Sequence, residues 1–547
     1  MLGCSPQPGP GFLDTEDAVE VCGGEIEVPD EALREVLLEL LPQPAPPEGE
    51  DDPKPVVLGR ELRQLQGIRA PERGITDLRG LECALSLESL GLSGNAVQDF
   101  SPVAHLVTLR QLELSDNGLS DLSSLAQLEG VTKLALAGNG IRDISPLAGL
   151  RELRSLDLAR NEIQDISPLA GLEKLTGLVL ARNALERIDA LTHLTQLVAL
   201  DLEQNDVASI AALEDLTALR HVDLDRNRIE DLSPLQGATG LVELEASRNA
   251  LTSLAGIENK PDLTRLVVRE NAITSTAGVS GLGRLVVLDL GGNDVRHLPG
   301  VETLENLERL LLPENDIEGI AVVAGLPELR DLDVRFNPRL SEISVVSTLP
   351  LLGTFFGGGS GQVLDLSPLA GREVLRRIVY VDSPVLDLGV LAELPALETL
   401  ELRGSTLEPW HLEQIGVATG LRTLDLGETG VDDIAELQAL ERLEVFVGND
   451  NALTSIAVMA EWPRVRNAVL SGNPLAVLEG VEALESLADL RLVDTLVTDL
   501  GPLVQNDSFR NGRSVDLTGA ALESSACTNV RILRERRAVV LTDLDCD

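Results

Sequence analysis

Five histidines, His105, His193, His221, His297 and His411, are the most versatile chemical groups in this chain. None belongs to an HExxH arrangement, and none has a Cys or second His at ligand spacing, so no metal or nucleophile-activating constellation is spelled out. Gly357, Gly358, Gly359 and Gly361 form neither a Walker loop nor a GxGxxG opening a helix, and Ser360 is not in GxSxG. Such a cluster fits a kink better than a phosphate cradle. No catalytic residue, cofactor or metal is expected, so the chain is not expected to be an enzyme.

Charge is the other chemistry on offer. One column carries Asp157, Val179, Asp201, Asp223 and Glu245, with Glu203, Asp225, Glu243 and His221 alongside. A second carries Arg160, Arg182, Gln204, Arg226 and Arg248. The acidic group Asp201, Glu203, His221, Asp223, Asp225, Glu243 and Glu245 has three possible uses. It could be solvated structural charge paired between neighbouring segments, a dock for a basic partner, or a Ca²⁺ site, which needs several converging oxygens.

Farther along, Arg265, Arg269, Arg309 and Arg335 accompany Val267, Leu311, Phe336 and Phe355, with Asp331 and Asp333 beside them. Arginine and aromatic residues anchor protein interfaces. Aromatics are only 2% of the chain, so an outward Phe355 needs a reason. This group is the leading candidate for a partner site. A broken register near Gly357 would instead turn Phe355 or Phe356 into the core.

These columns exist only if something repeats beneath them. LALAGNGIRDISPLAGL is followed 22 residues later by LDLARNEIQDISPLAGL, and the same ruler runs without a slip from Asn95 through Asn117, Asn139 and Asn161 to Asn337. Within a repeat, Leu112 and Leu114 alternate with Gln111, Glu113 and Ser115, which predicts a short strand with one buried face. Asn117 stands where the chain leaves the strand, and an amide that donates and accepts can bond the groups a turn strands. Stacked asparagines should form a ladder between coils. The return segment often begins Ser-Pro, as at Ser145-Pro146, and is too short for a full helix, so a 3₁₀ or polyproline turn is expected. The ruler fails after Asn337: the next slot falls on Gly359, then come Ser383, Ser405 and Thr429, and it resumes at Asn451.

Composition agrees with an elongated array. The 44 basic and 89 acidic residues leave a net charge of −45, which argues against nucleic acid as a partner. No apolar run reaches the roughly 18 residues a spanning helix needs. The start, Met1-Leu2-Gly3-Cys4-Ser5, has the Leu-Gly-Cys ending of a bacterial lipoprotein signal without the charged and apolar regions that should precede it. Lipidation of Cys4 is the expectation, with a chance Cys as the alternative. Cys22 and Cys83 stand near one end, Cys527 and Cys546 near the other. One disulfide at each end suits an exported solenoid, and buried free thiols are the other possibility.

GITDLRGLECALSLESLGLSGN, preceded by the amphipathic PDEALREVLLELL, resembles the start of internalin-like bacterial leucine-rich-repeat proteins. The resemblance implies an α/β solenoid: a leucine-rich-repeat horseshoe with a parallel concave β-sheet, 3₁₀ or turn segments on the convex side and helical caps at both ends. The expected layout is a lipoprotein-like tether over 1–24, an N-terminal cap over 25–64, about 21 repeats over 65–520 (irregular at 338–430), and a C-terminal cap over 521–547. By the same resemblance the chain is a non-enzymatic binder of a protein, or a glycan, at the bacterial envelope. It would be a monomer that meets the membrane only through its lipid. The alternative is a cytosolic scaffold resembling the repeat proteins that regulate phosphatases.

Overall fold

The computed structural model describes residues 22–42, 55–361 and 363–546. Cys4, the expected lipidation site, lies outside the described residues. The chain divides into two compact units, one reaching Leu263 and one starting at Thr264. Among the described residues the first unit carries nine strands, Gly67–Arg69 to Glu243–Glu245, and the second thirteen, Arg265–Val267 to Val539–Leu541. Within each unit neighbouring strands pair in parallel, one repeat apart: Gln111 faces Lys133 and Leu112 faces Leu134, as Arg309 faces Asp331 and Leu310 faces Leu332.

Leucine alternation sets that register. Leu112 is buried, while Gln111 is exposed and Glu113 half-buried; a slip of one residue would turn every leucine outward. The crossover between strands is a 3₁₀ turn such as Ser145–Gly149, with Leu147 inward. A carboxylate opens it. Asp143 accepts from the Ser145 N–H at 2.8 Å and from its hydroxyl at 3.0 Å. Asp99, Asp121, Asp165, Asp231 and Asp365 accept from the backbone N–H two residues on in the same way. Part of the acidity is therefore structural capping, repeated in several coils and replaced by a serine hydroxyl in others, as at Ser209 and Ser455.

The asparagines do form a ladder. Asn139 Oδ1 accepts from Asn117 N at 2.9 Å and Leu119 N at 3.0 Å, while Nδ2 donates to Leu114 O at 3.0 Å and Leu136 O at 2.8 Å. Hydroxyls in the slot do less. Ser405 Oγ reaches Tyr380 O and Thr495 Oγ1 reaches Leu492 O, one carbonyl each.

At the N-terminal end, helix Glu31–Leu40 is capped by Asp30, whose Oδ1 accepts from Leu33 N and whose Oδ2 accepts from Thr76 N at 2.8 Å. Leu33, Val36, Leu37 and Leu41 are buried; Leu40, expected on the same stripe, is 45% exposed. At the other end helix Cys527–Glu535 buries Val530 and Leu533, leaving Ile532 half-buried. A further strand, Val539–Leu541, follows that helix, so the strands continue beyond the last one expected from the leucine pattern.

Disulfides join Cys22 to Cys83 and Cys527 to Cys546, across 61 and 19 residues. Loop-closure entropy alone gives such bridges about 4 and about 3 kcal/mol. Replacing Cys22 and Cys83 with Ser should therefore lower the urea midpoint and free the N-terminal coils to exchange amide hydrogens first. Unchanged exchange at Ile75 and Leu78 would contradict this.

The irregular stretch has a simple origin. Leu340, Ile343, Val346, Leu349 and Leu352 are buried, each 23 residues after Ile317, Ile320, Val323, Leu326 and Leu329. One residue has been added in the Pro338-Arg339 turn. The next strands lengthen, Thr354–Gly358 and Arg377–Val381 pairing over five residues, so Gly357 and Gly358 run inside the ladder. Gly358, Gly359 and Gly361 take positive φ as the chain turns out of it. Farther on, helix Pro409–Gly416 replaces a 3₁₀ turn.

Candidate interaction surface

The strand face of the first unit presents the acidic column, and its carboxylates are bound locally. Asp157, Asp201 and Asp223 each accept from the backbone N–H two residues on, at 3.0, 2.9 and 2.9 Å. Asp225 accepts from Ser247 N, and His221 Nδ1 lies 3.1 Å from Glu243 Oε2. The expected exchange of ion pairs between coils is only partial: Arg182 and Arg226 stand 3.5 and 3.8 Å from Glu203, while Arg160 reaches Asp116 two coils back. Each of Arg160, Arg182, Arg226 and Arg248 is left-handed, with φ between +55° and +58°, because the chain turns sharply into the asparagine slot. Among the described residues no three His, Cys, Asp or Glu side chains converge to hold a metal.

Stacking carboxylates one strand apart has an electrostatic consequence. Burial, then the neighbouring Asp225, Asp201 and Glu245, push the Asp223 carboxyl up to about 7; Asp201 and Asp225 are raised by burial too. A carboxyl raised on folding destabilises when ionised, so the penalty is present above pH 7 and is relieved as pH falls through that value toward 4. Asp223→Asn keeps the acceptor for Asp225 N. It should stabilise the chain by about 1 kcal/mol at pH 8, allowing for partial solvent screening, and by less than about half of that at pH 5. Equal gains at both pH values in urea titrations would refute this.

On the second unit the candidate residues separate into two groups. Arg265–Val267 pairs with Val287–Asp289, which pairs with Arg309–Leu311. Val267, expected outward, is only 6% exposed, and exposed Arg269 lies 3.6 Å from Asp289, a buried carboxylate that the sequence reading missed. Burial raises the pKa of Asp289. The second group is tighter. Arg309 Nε is 3.1 Å from Asp331 Oδ2, beside half-buried Leu311. Arg335 grips Asp333 with two bonds, Nε to Oδ1 at 3.0 Å and Nη2 to Oδ2 at 2.7 Å, and Asp333 is buried.

Phe355 does not belong to the surface. The added residue near Pro338 puts it opposite Leu332 and Ile378, at an inward position of its strand, fully buried. Phe356 takes the outward place, opposite Asp333 and Val379. Its half-buried ring lies between two guanidiniums, Arg335 at 4.8 Å and Arg377 at 5.5 Å, and Arg377 is held by Glu401 at 2.6 Å. Both Phe356 and Arg377 were absent from the sequence-derived set. The 23-residue spacing of the buried aliphatics was the signal that could have found them.

Phe336 completes the surface. It is left-handed (φ +57°), and its ring covers Gly359, where a Cβ would collide with it. Gly359 itself has φ +81°. The arrangement sets the Phe356 ring beside two arginine–carboxylate pairs, Arg335–Asp333 and Arg377–Glu401, with the Phe336 ring over Gly359.

Comparison with known proteins agrees with this architecture. Residues 151–207 match the leucine rich repeat model, and residues 129–171 match the model for two copies of leucine rich repeats. The Arabidopsis receptor kinase HAESA, solved with the peptide hormone IDA and a co-receptor, is 19% identical, with TM-score 0.59, over 88% of this chain and 91% of its own. The plant peptide hormone receptor RGFR1, solved with RGF2, is 16% identical with TM-score 0.57, over 88% and 90%. Internalin C2 of Listeria monocytogenes is 30% identical over 42% of this chain and 96% of its own, with TM-score 0.38. Comparison with curated proteins finds no match. The strand ladders, the 3₁₀ crossovers, the two repeat models and the likeness to the two plant receptors together make the fold a leucine-rich-repeat solenoid.

Proposed function

We propose that the chain is a non-enzymatic binding protein that holds a protein partner against the strand face of its second unit. The observation that carries the reading is Phe356, outward between Arg335 and Arg377. An aromatic group braced on both sides loses little freedom on binding, which is how interface anchors work. Solenoids of this fold are seen with peptide hormones in plant receptors, which supports a protein or peptide occupant ahead of a glycan. We place the protein at a bacterial cell envelope, tethered by a lipid on Cys4; the two disulfides favour an oxidising compartment over the cytosol.

A pull-down from envelope extract on the immobilised chain tests the binding reading. Arg309→Ala combined with Phe356→Ala should weaken the captured partner at least about tenfold. Capture unchanged by the double substitution would remove this surface. Labelled palmitate incorporated into the chain in cells, and lost in Cys4→Ser, tests the anchor.

A further inference from the structure

The C-terminal end of the second unit breaks the charge pattern of the chain. From Asp507 to Asp547 stand six arginines, Arg510, Arg513, Arg531, Arg534, Arg536 and Arg537, against seven carboxylates, near balance in a chain of net charge −45. One of those carboxylates, Asp507, lies 3.7 Å from Arg536. Backbone bonds bring four of the arginines together. Asn511 N donates to Arg536 O at 2.9 Å and Gly512 N to Arg537 O at 2.8 Å, so the Arg510–Arg513 turn lies against the Arg536–Arg537 turn. On the strand face arginines lean on carboxylates, as Arg309 does on Asp331 and Arg377 on Glu401. Here, among the described residues, the exposed side chains of Arg510 and Arg537 make no hydrogen bond or ion pair, and Nη1 of Arg513 is buried without a partner.

The same place is a sheet edge. Val539–Leu541 pairs with Ser514–Asp516, and among the described residues no strand pairs on its other side. Val539 N donates to Arg513 O and Leu541 O accepts from Leu517 N, so the polar groups of Val540 face away from that partner. Arg534 Nη2 lies 3.5 Å from Val540 O. Val539 and Leu541 are 48% and 52% exposed on the strand face.

We propose that this edge binds an extended acidic segment of a partner protein, which adds as a strand beside Val539–Leu541. Its main chain would meet the Val540 N–H, since Val540 O already accepts from Arg534. Its apolar side chains would meet Val539 and Leu541, and its carboxylates the exposed Arg510 and Arg537. The charge selects this occupant. A second copy pairing through the same edge would bring the arginine cluster against itself. A long polyanion or an anionic membrane would run past the cluster onto acidic coils, whereas a short segment feels only charges within a Debye length of about 8 Å. The site shares no residue with the Phe356 surface and stands or falls separately.

The test titrates the intact chain with a fluorescein-labelled peptide, Thr-Glu-Val-Glu-Val-Glu-Thr, read by anisotropy. Saturable binding in the micromolar range is expected, with loss of at least about tenfold when Lys replaces Glu, when alternate peptide amides are N-methylated, or in Arg510→Glu/Arg537→Glu. Both arginines are exposed, so thermal unfolding of the variant should match the parent. Should it not, Arg510→Gln/Arg537→Gln must show the same loss. Absence of saturation at millimolar peptide, equal binding of the lysine peptide, or binding undiminished by the arginine substitutions overturns the proposal. Tighter binding of single-stranded DNA or phosphatidylglycerol vesicles, displacing the peptide, overturns it as well.

Discussion

Replacing Asn139 with Ala should destabilise its coil by about 3–4 kcal/mol, the largest effect expected of a single polar side chain here. Alanine leaves the buried Asn117 and Leu119 N–H groups without their acceptor, while the Leu114 and Leu136 carbonyls each lose one of two donors and keep the amide of Asn117 or Asn161. Asn139 is buried, so water does not replace these bonds without opening the turn. A solenoid transmits this to its neighbours, because each coil is stabilised by the interface to the next. Amide exchange should therefore accelerate first at Leu119 and Asn117, one coil away from the substitution. A loss below about 1 kcal/mol, or exchange altered only at residue 139, would show that the ladder is decoration on a leucine core.

The ladder also marks how far sequence alone reaches. Period, parallel strands, 3₁₀ returns and the asparagine slot were legible because each coil meets the same demands: an aliphatic pair inside, a bonded turn, a short crossover. Local events hidden by that repetition were not. The carboxylate of Asp223 looked like surface charge, yet it accepts a backbone N–H bond, a role that depends on the turn two residues ahead. Arg160 and Phe336 gave no hint of left-handed backbone, since the turn into the asparagine slot imposes it on whichever residue stands there. The strand Val539–Leu541 lacked the LxL-to-Asn signature because no further coil follows within the described residues to require it.

The candidate surface suffered most from a single added residue. A ruler of fixed pitch carried past Pro338 exchanges inward for outward, since side chains alternate along a strand. It therefore chose Phe355 over its neighbour. The two phenylalanines now make opposite predictions. Phe355→Ala empties a fully buried ring site between Leu332 and Ile378 and should lower stability by about 3–5 kcal/mol. Phe356→Ala removes a half-buried ring and two cation–π contacts, so stability should fall by only about 1–2 kcal/mol. Partner affinity should behave the other way. Phe356→Ala should weaken the captured partner at least about tenfold, or 1.4 kcal/mol, while folded Phe355→Ala, assayed well below its urea midpoint, should bind nearly as the parent does. Urea titrations beside partner titrations decide between them. If Phe356→Ala binds normally while folded Phe355→Ala does not, recognition does not run through the strand face at this ring.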